Sequence, residues 1–227
     1  MELKNRRWYE WLMIVVALPF QLNAQTFVEV SGGELDLVRA LEFQDSCILS
    51  VEPFEISGLI TLAQYQEFLD DFWSAPDWTL PDSNGVRHWI REERIRTDLG
   101  RVGLEACTNV TWIEAVEYSK WLTDNSDHID WVYRLPKLSE WLFALNAGVL
   151  DQTDLGCWLL NTKDESVLKC SDLDNTYSSL YNDPKSLKRK MVAYETSRTY
   201  PYRGNYYQFI PYPTVGFRVV RVSVRQQ

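Results

Sequence analysis

Apolar positions along this chain change their period several times, and each change marks an element. Between residues 61 and 73, Tyr65, Phe68, Leu69 and Phe72 recur at helical spacing, and Thr61 with Gln64 forms the capping box that opens such a helix. Residues 111–122 repeat the device, with Thr111 and Glu114 as the box and Trp112, Ala115, Ser119 and Leu122 on the inner face. A third helix follows the corner "RLP". Pro136 disfavours the helical region for Leu135, so residues 132–135 end a strand. Leu138, Trp141, Leu142 and Leu145 then fall at helical spacing, and Gly148 supplies a left-handed closing residue.

Strand patterns occupy both ends. Residues 27–30, a glycine turn at 31–33 and residues 34–38 read as two strands joined by a turn, and residues 47–51 and 54–56 continue the pattern with Pro53 between them. Residues 191–194 form a short strand, and "VGFRVVRVSV" at 215–224 reads as one β-rich run. Residues 74–105 are polar and aperiodic, and residues 149–190 show no sustained period and are read as an irregular, stapled region. Terminal strands with helices between them predict an α+β fold in which the two ends pair in one sheet.

The first residues change the picture of where the chain works. Lys4, Arg6 and Arg7 precede an apolar run at 12–20 and then "QLNA", the order of a signal peptide cut after Ala24. The run is shorter than the about 20 residues of a membrane span, and retention as an anchor is the alternative. Residues 25–227 then form a single exported domain, periplasmic or otherwise envelope-associated, with no membrane span after cleavage. Ten tryptophans and twelve tyrosines make the 227-residue chain unusually aromatic. A net charge of −9 argues against nucleic acid, whose phosphates require a basic surface. The one basic run, Lys185, Lys188, Arg189 and Lys190, reads as a solvated loop.

Four cysteines, Cys47, Cys107, Cys157 and Cys170, admit three pairings in an exported chain. Cys47 with Cys107 and Cys157 with Cys170 is the favoured arrangement. None has zinc-ligand spacing, and His88 and His128 stand apart, so no metal site is expected from them. Asn109-Val110-Thr111 matches a glycan acceptor, but Thr111 is better explained as a helix cap. The acidic stretch from Asp164 to Asp183 leaves calcium as an open question, and no other cofactor is expected.

Five stretches together resemble one family. "FVEVSGGEL", "VEPFEISGLITLAQYQEFL", "VTWIEAVEYSKWL", "YRLPKLSEWLFALNAG" and "GFRVVR" follow, in order, the opening hairpin, first helix, second helix, corner motif and closing strand of the formylglycine-generating enzyme, or sulfatase-modifying factor, family. The resemblance implies a C-type-lectin-like fold with a small sheet, about three helices and long loops. It makes Arg134, Glu140, Trp141, Gly216, Phe217 and Arg218 framework residues joining helix, loop and final strand. Lys137 departs from the hydroxylated capping residue usual there, a loss of about 1 kcal/mol.

Catalytic members of the resembled family oxidise a substrate cysteine with two cysteines that bind copper(I), placed shortly before the Gly-Phe-Arg motif; a soft cuprous ion requires such thiolates. Here the corresponding stretch, "ETSRTYPYRGNYYQFIPYPTV", has no cysteine, and none follows Cys170 anywhere. The Arg-Gly-Gly-Ser-Trp and Gly-Asn-Val-Trp-Glu-Trp signatures are also absent, with residues 154–158 as a remnant of the second. No catalytic or metal residue is therefore assigned, and no enzymatic activity is expected. The expected function is a noncatalytic domain binding another envelope protein, by analogy with noncatalytic relatives in gliding motility and type IX secretion. Arg198, Tyr202, Arg203, Tyr206 and Tyr207 form the candidate binding surface, since Tyr and Arg dominate interface hot spots. The competing readings are a formylglycine-generating or thiol-oxidising enzyme and a carbohydrate module stacking sugars on Trp158, Tyr206 and Tyr207.

Overall fold

The structure, a computed structural model, describes residues 25–36, 48–74, 106–150, 153, 155–163, 189–194, 202–206 and 210–224. For residues 72–74, 161–163, 189–194 and 202–206 it describes the backbone alone. The three expected helices are present as α1 (Leu62–Ser74), α2 (Trp112–Asp124) and α3 (Leu138–Asn146). Both capping boxes form. Thr61 N–H donates to Gln64 Oε1 at 2.9 Å and Gln64 N–H to Thr61 Oγ1 at 3.3 Å. Thr111 N–H donates to Glu114 Oε2 at 2.5 Å and Glu114 N–H to Thr111 Oγ1 at 3.2 Å.

Only half of that device exists at α3. The Lys137 ammonium has no lone pair to offer the first turn, but Glu140 Oε2 accepts the Lys137 N–H at 2.8 Å. At the other end, Gly148 takes φ +69° and its N–H closes onto Leu145 O at 3.0 Å, the left-handed stop that its position predicts.

Among the described residues there are ten strands: β1 (Phe27–Val30), β2 (Gly33–Asp36), β3 (Ile48–Val51), β4 (Phe54–Ser57), β5 (Trp131–Arg134), β6 (Gly156–Lys163), β7 (Arg189–Tyr194), β8 (Tyr202–Tyr206), β9 (Val215–Phe217) and β10 (Val220–Ser223). The first sheet runs β1-β4-β10-β5, all antiparallel, and β2 pairs β3 in a two-stranded ribbon. The second four-stranded sheet runs β8-β7-β6-β9, with β6 and β9 parallel. The architecture is α+β, as the order of patterns predicts.

Four expectations are corrected. β1 and β2 do not form a hairpin: β1 pairs β4 while β2 pairs β3, so two chain segments run antiparallel and pass together from one sheet to the other. The break falls where Gly32 lies against the backbone of Val51, Glu52 and Pro53; proline cannot donate to a ladder there. The terminal strands share a sheet without touching, because β4 lies between β1 and β10. Residues 215–224 hold two strands in different sheets, separated at Arg218 and Val219. Finally, residues 156–163 are a regular strand within the region read as irregular.

Gly32 has φ +70°, and a Cβ built on it would stand 2.4 Å from Val51 O and 2.7 Å from Pro53 N. Both neighbours are backbone and cannot rotate away. Gly32→Ala is therefore expected to lower stability by about 2 kcal/mol, measured by urea unfolding; a loss below about 0.5 kcal/mol would contradict this packing.

Among the described residues two apolar clusters form the core. One places Val30, Phe54, Ile56, Val220 and Val222 of the first sheet against Leu138, Trp141 and Leu142 of α3. The other joins Tyr65, Phe68 and Leu69 of α1 with Trp112, Ala115 and Tyr118 of α2 and Phe217 of β9. β6 serves both: Cys157 and Leu159 belong to the first cluster, Trp158 and Leu160 to the second. A strand buried on both faces shows no polar alternation, which is why its pattern is silent in the sequence.

Candidate functional site

The "RLP" corner is braced from both sides. Arg134, at the end of β5, reaches across the corner to Glu140 on the first turn of α3, with Nη1–Oε2 at 2.7 Å and Nη2–Oε1 at 2.5 Å. The same Nη1 donates to Leu135 O at 3.2 Å. Glu140 thus accepts a two-pronged guanidinium and a backbone N–H while 6 % exposed. Beyond the corner, the buried Pro136 offers its carbonyl to Leu160 N–H at 2.9 Å. That bond uses an irregularity in β6, whose pairing with β7 shifts register between Trp158 and Thr162. The freed Leu159 carbonyl accepts from Trp112 Nε1 at 2.8 Å, and Trp158 Nε1 donates to Val110 O at 3.0 Å. Two indoles therefore stitch β6 to the start of α2 in opposite directions.

Gly216, Phe217 and Arg218 lie where the two sheets meet. Phe217 packs edge-on against Tyr118 and Tyr65, with ring centroids 5.3 and 6.1 Å apart. Gly216 passes so close to the Cys107 carbonyl that a Cβ would come within 3.0 Å of that oxygen. Arg218 is 2 % exposed, and its Nη1 donates to Ser57 O at 3.2 Å while Ser57 Oγ accepts from Val219 N–H at 2.9 Å. Trp141 is fully buried beneath α3 in the first cluster. The sequence-assigned framework residues thus occupy two junctions: corner to α3, and sheet to sheet.

Sequence reasoning missed Arg221. Its guanidinium lies 4.4 Å from the Phe27 ring centroid and 4.9 Å from that of Trp131, and its Nη2 meets Glu55 Oε2 at 2.6 Å. The alternation within "VVRVSV" places Arg221 opposite the core-facing Val220 and Val222, which is the signal that could have found it.

The thiols occupy different chemical settings. Cys107 is a free cysteine with no exposed surface, so the expected bond between Cys47 and Cys107 is absent; its N–H donates to Ile60 O at 2.7 Å. Burial pushes the Cys107 thiol well above its ordinary range, and the nearby Glu114 carboxylate pushes it further. Cys157 is 1 % exposed and its Sγ donates to Trp158 O at 3.6 Å. Cys157 likewise carries no disulfide, so the expected bond between Cys157 and Cys170 is absent as well; Cys47 and Cys170 themselves lie outside the described residues. A copper(I) site needs accessible thiolates, and neither Cys107 nor Cys157 fits that requirement. Native protein treated with iodoacetamide at pH 8 is expected to leave Cys107 unmodified until denaturant is added. Peptide mass mapping that finds Cys107 alkylated at the rate of a small thiol would refute this.

Trp158, proposed as a sugar-stacking residue, is fully buried against Tyr212 and cannot present a face to a ligand. Tyr202, Arg203 and Tyr206 lie on β8, while Arg198, Tyr207, His88 and the acidic stretch at 164–183 lie outside the described residues. Arg189 and Lys190, read as loop residues, begin strand β7. His128 sits exposed in the turn before β5. Among the described residues no group of three His, Cys, Asp or Glu side chains is placed to hold a metal ion. Thr111 is buried in its capping box, so the acceptor pattern at Asn109 is occupied structurally by the helix start. Among the described residues no helix is long and apolar enough to cross a membrane.

A corner locked by Arg134 and Glu140, a Gly-Phe-Arg segment joining two sheets and three helices between short strands define a domain class. The sulfatase-modifying factor enzyme 1-like domain matches residues 17–197, and the chain belongs to that family. No curated protein matches the chain. Residues 215–223 lie beyond the matched span, yet they complete both four-stranded sheets.

Proposed function

We propose that this chain is a noncatalytic member of its family, exported to the cell envelope, where it binds another protein as part of an assembly. One observation carries the reading: the stretch before Gly216, where the resembled enzymes keep their copper thiolates, contains no cysteine, and none occurs after Cys170. The burial of Cys107 and Cys157 supports it, because those thiols are withdrawn from any substrate. Loss of a catalytic centre leaves a rigid framework with long loops, and binding function belongs to such loops rather than to the fold. The analogy with noncatalytic relatives in gliding motility and type IX secretion favours an envelope partner.

Two measurements test this. Incubation with copper(I) and a cysteine-bearing peptide is expected to yield no aldehyde by mass spectrometry, and formation of formylglycine would overturn the noncatalytic reading. Crosslinking in the native envelope is expected to join the chain to a specific protein; recovery as a lone monomer would overturn the interaction reading.

A further inference from the structure

Gln25, two positions before β1, carries a side-chain amide in an unusual state. Its Nε2 and Oε1 are both enclosed, and neither has a hydrogen-bond partner among the described residues. A primary amide brings two N–H donors and an acceptor, so enclosing it unbonded costs free energy that the same group avoids in water. Buried polar groups in this state are few in folded proteins, and each calls for a physical reason.

The reason lies in the position of the residue. Residues 1–24 read as a leader cut after Ala24, and that cut makes Gln25 the amino terminus of the exported chain. A terminal glutamine has chemistry that an internal one lacks, because its free α-amine reaches its own side-chain Cδ. Attack there forms the bond from the α-nitrogen to Cδ and breaks the bond from Cδ to Nε2. Nε2 takes up a proton from the attacking amine and leaves as ammonia. No oxidant, reductant or second substrate enters the step.

We propose that Gln25 is a modification site, closed to pyroglutamate once the leader is removed. The proposal rests on the export reading above and extends it to a covalent change in the mature chain. The product suits the enclosure better than the amide does. The lactam keeps the carbonyl oxygen but sheds Nε2 and both of its unbonded donors, and the terminal ammonium becomes a neutral ring nitrogen. Phe27, two residues further on, packs edge-on against Tyr133 with ring centroids 5.8 Å apart, and the Arg221 guanidinium lies 4.4 Å from the same ring. A neutral residue 25 adds no second cation to that segment. Among the described residues β1 is also the border strand of the first sheet, paired with β4 alone. Trimming from the amino end would begin at this strand, and a terminus without an α-amine gives an aminopeptidase nothing to grip.

The test follows the full chain, made with its own leader and recovered from its native envelope. Free amines are dimethylated in the first buffer, before glutamine can close during handling, and the protein is then digested with trypsin. Arg39 is the first tryptic site after residue 25. The expected peptide spans residues 25–39, carries no label at its amino terminus and is lighter by one ammonia than the encoded sequence. Gln25→Ala is expected to give the same span with a fully labelled terminal amine. A labelled, uncyclised Gln25 in the wild-type peptide overturns the proposal and leaves export and cleavage standing. A chain that begins at any residue other than 25 overturns the cut after Ala24, and the proposal with it. A blocked terminus in Gln25→Ala overturns it as well, since alanine has no side-chain carbonyl to close upon.

Discussion

Replacing Trp158 by alanine is expected to destabilise the fold by about 4 kcal/mol, a large share of the about 5–15 kcal/mol that holds a domain of this size together. The side chain is completely buried, packs edge-on against Tyr212 at 5.8 Å and donates its indole N–H to Val110 O. Alanine would leave a cavity where β6, α2 and the segment before β9 meet, and would strand the Val110 carbonyl. Trp158→Phe separates the two effects: it retains most of the volume and removes the donor, so about 1–2 kcal/mol is expected. Urea unfolding followed by circular dichroism at 222 nm measures both. A Trp158→Ala loss under about 1 kcal/mol would show that the indole is not part of the core described.

Arg134→Met is expected to cost about 3 kcal/mol, because it leaves the Glu140 carboxylate buried with only the Lys137 N–H to neutralise it. Adding Glu140→Gln to the same chain is expected to recover a third or more of that loss, since the stranded charge disappears. Arg134→Lys should behave like Arg134→Met more than like wild type, because an ammonium cannot meet both carboxylate oxygens and the Leu135 carbonyl from one planar fork. Non-additivity in the double-mutant cycle is the quantity that decides the matter; strictly additive losses would mean that Arg134 and Glu140 act independently.

Where function is concerned, the sequence was most informative about what holds the fold together and least about what the fold binds. Helices α1 and α2 were legible because Thr61, Gln64, Thr111 and Glu114 satisfy backbone groups within four residues of themselves. The corner was legible for the same reason, Arg134 and Glu140 being six residues apart. β6 was not, because Cys157 to Leu160 are buried on both faces and a fully buried strand gives no period to read. The division of residues 215–224 was hidden as well: an uninterrupted β-rich run gives no sign that Arg218 enters the interior and reaches Ser57, a residue 161 positions away. The opening hairpin failed on a similar count, since the partners of β1 and β2 are chosen by β3 and β4 rather than by the glycines between them. The candidate surface residues Tyr202, Arg203 and Tyr206 share a strand, which spacing alone left unassigned.

The crossing from β9 to β10 also fixes a schedule. An inner strand of the first sheet and a border strand of the second both come from residues 215–223. A chain emerging vectorially from its amino end can form its capped helices early, since their bonds are local, but β4 and β5 cannot be joined in the first sheet before that later segment arrives. Until then β4 and β5 lack the strand that separates them, leaving two adhesive borders open to passing chains. Residues 220–223 thus cover both of those borders at once, by filling the place between β4 and β5.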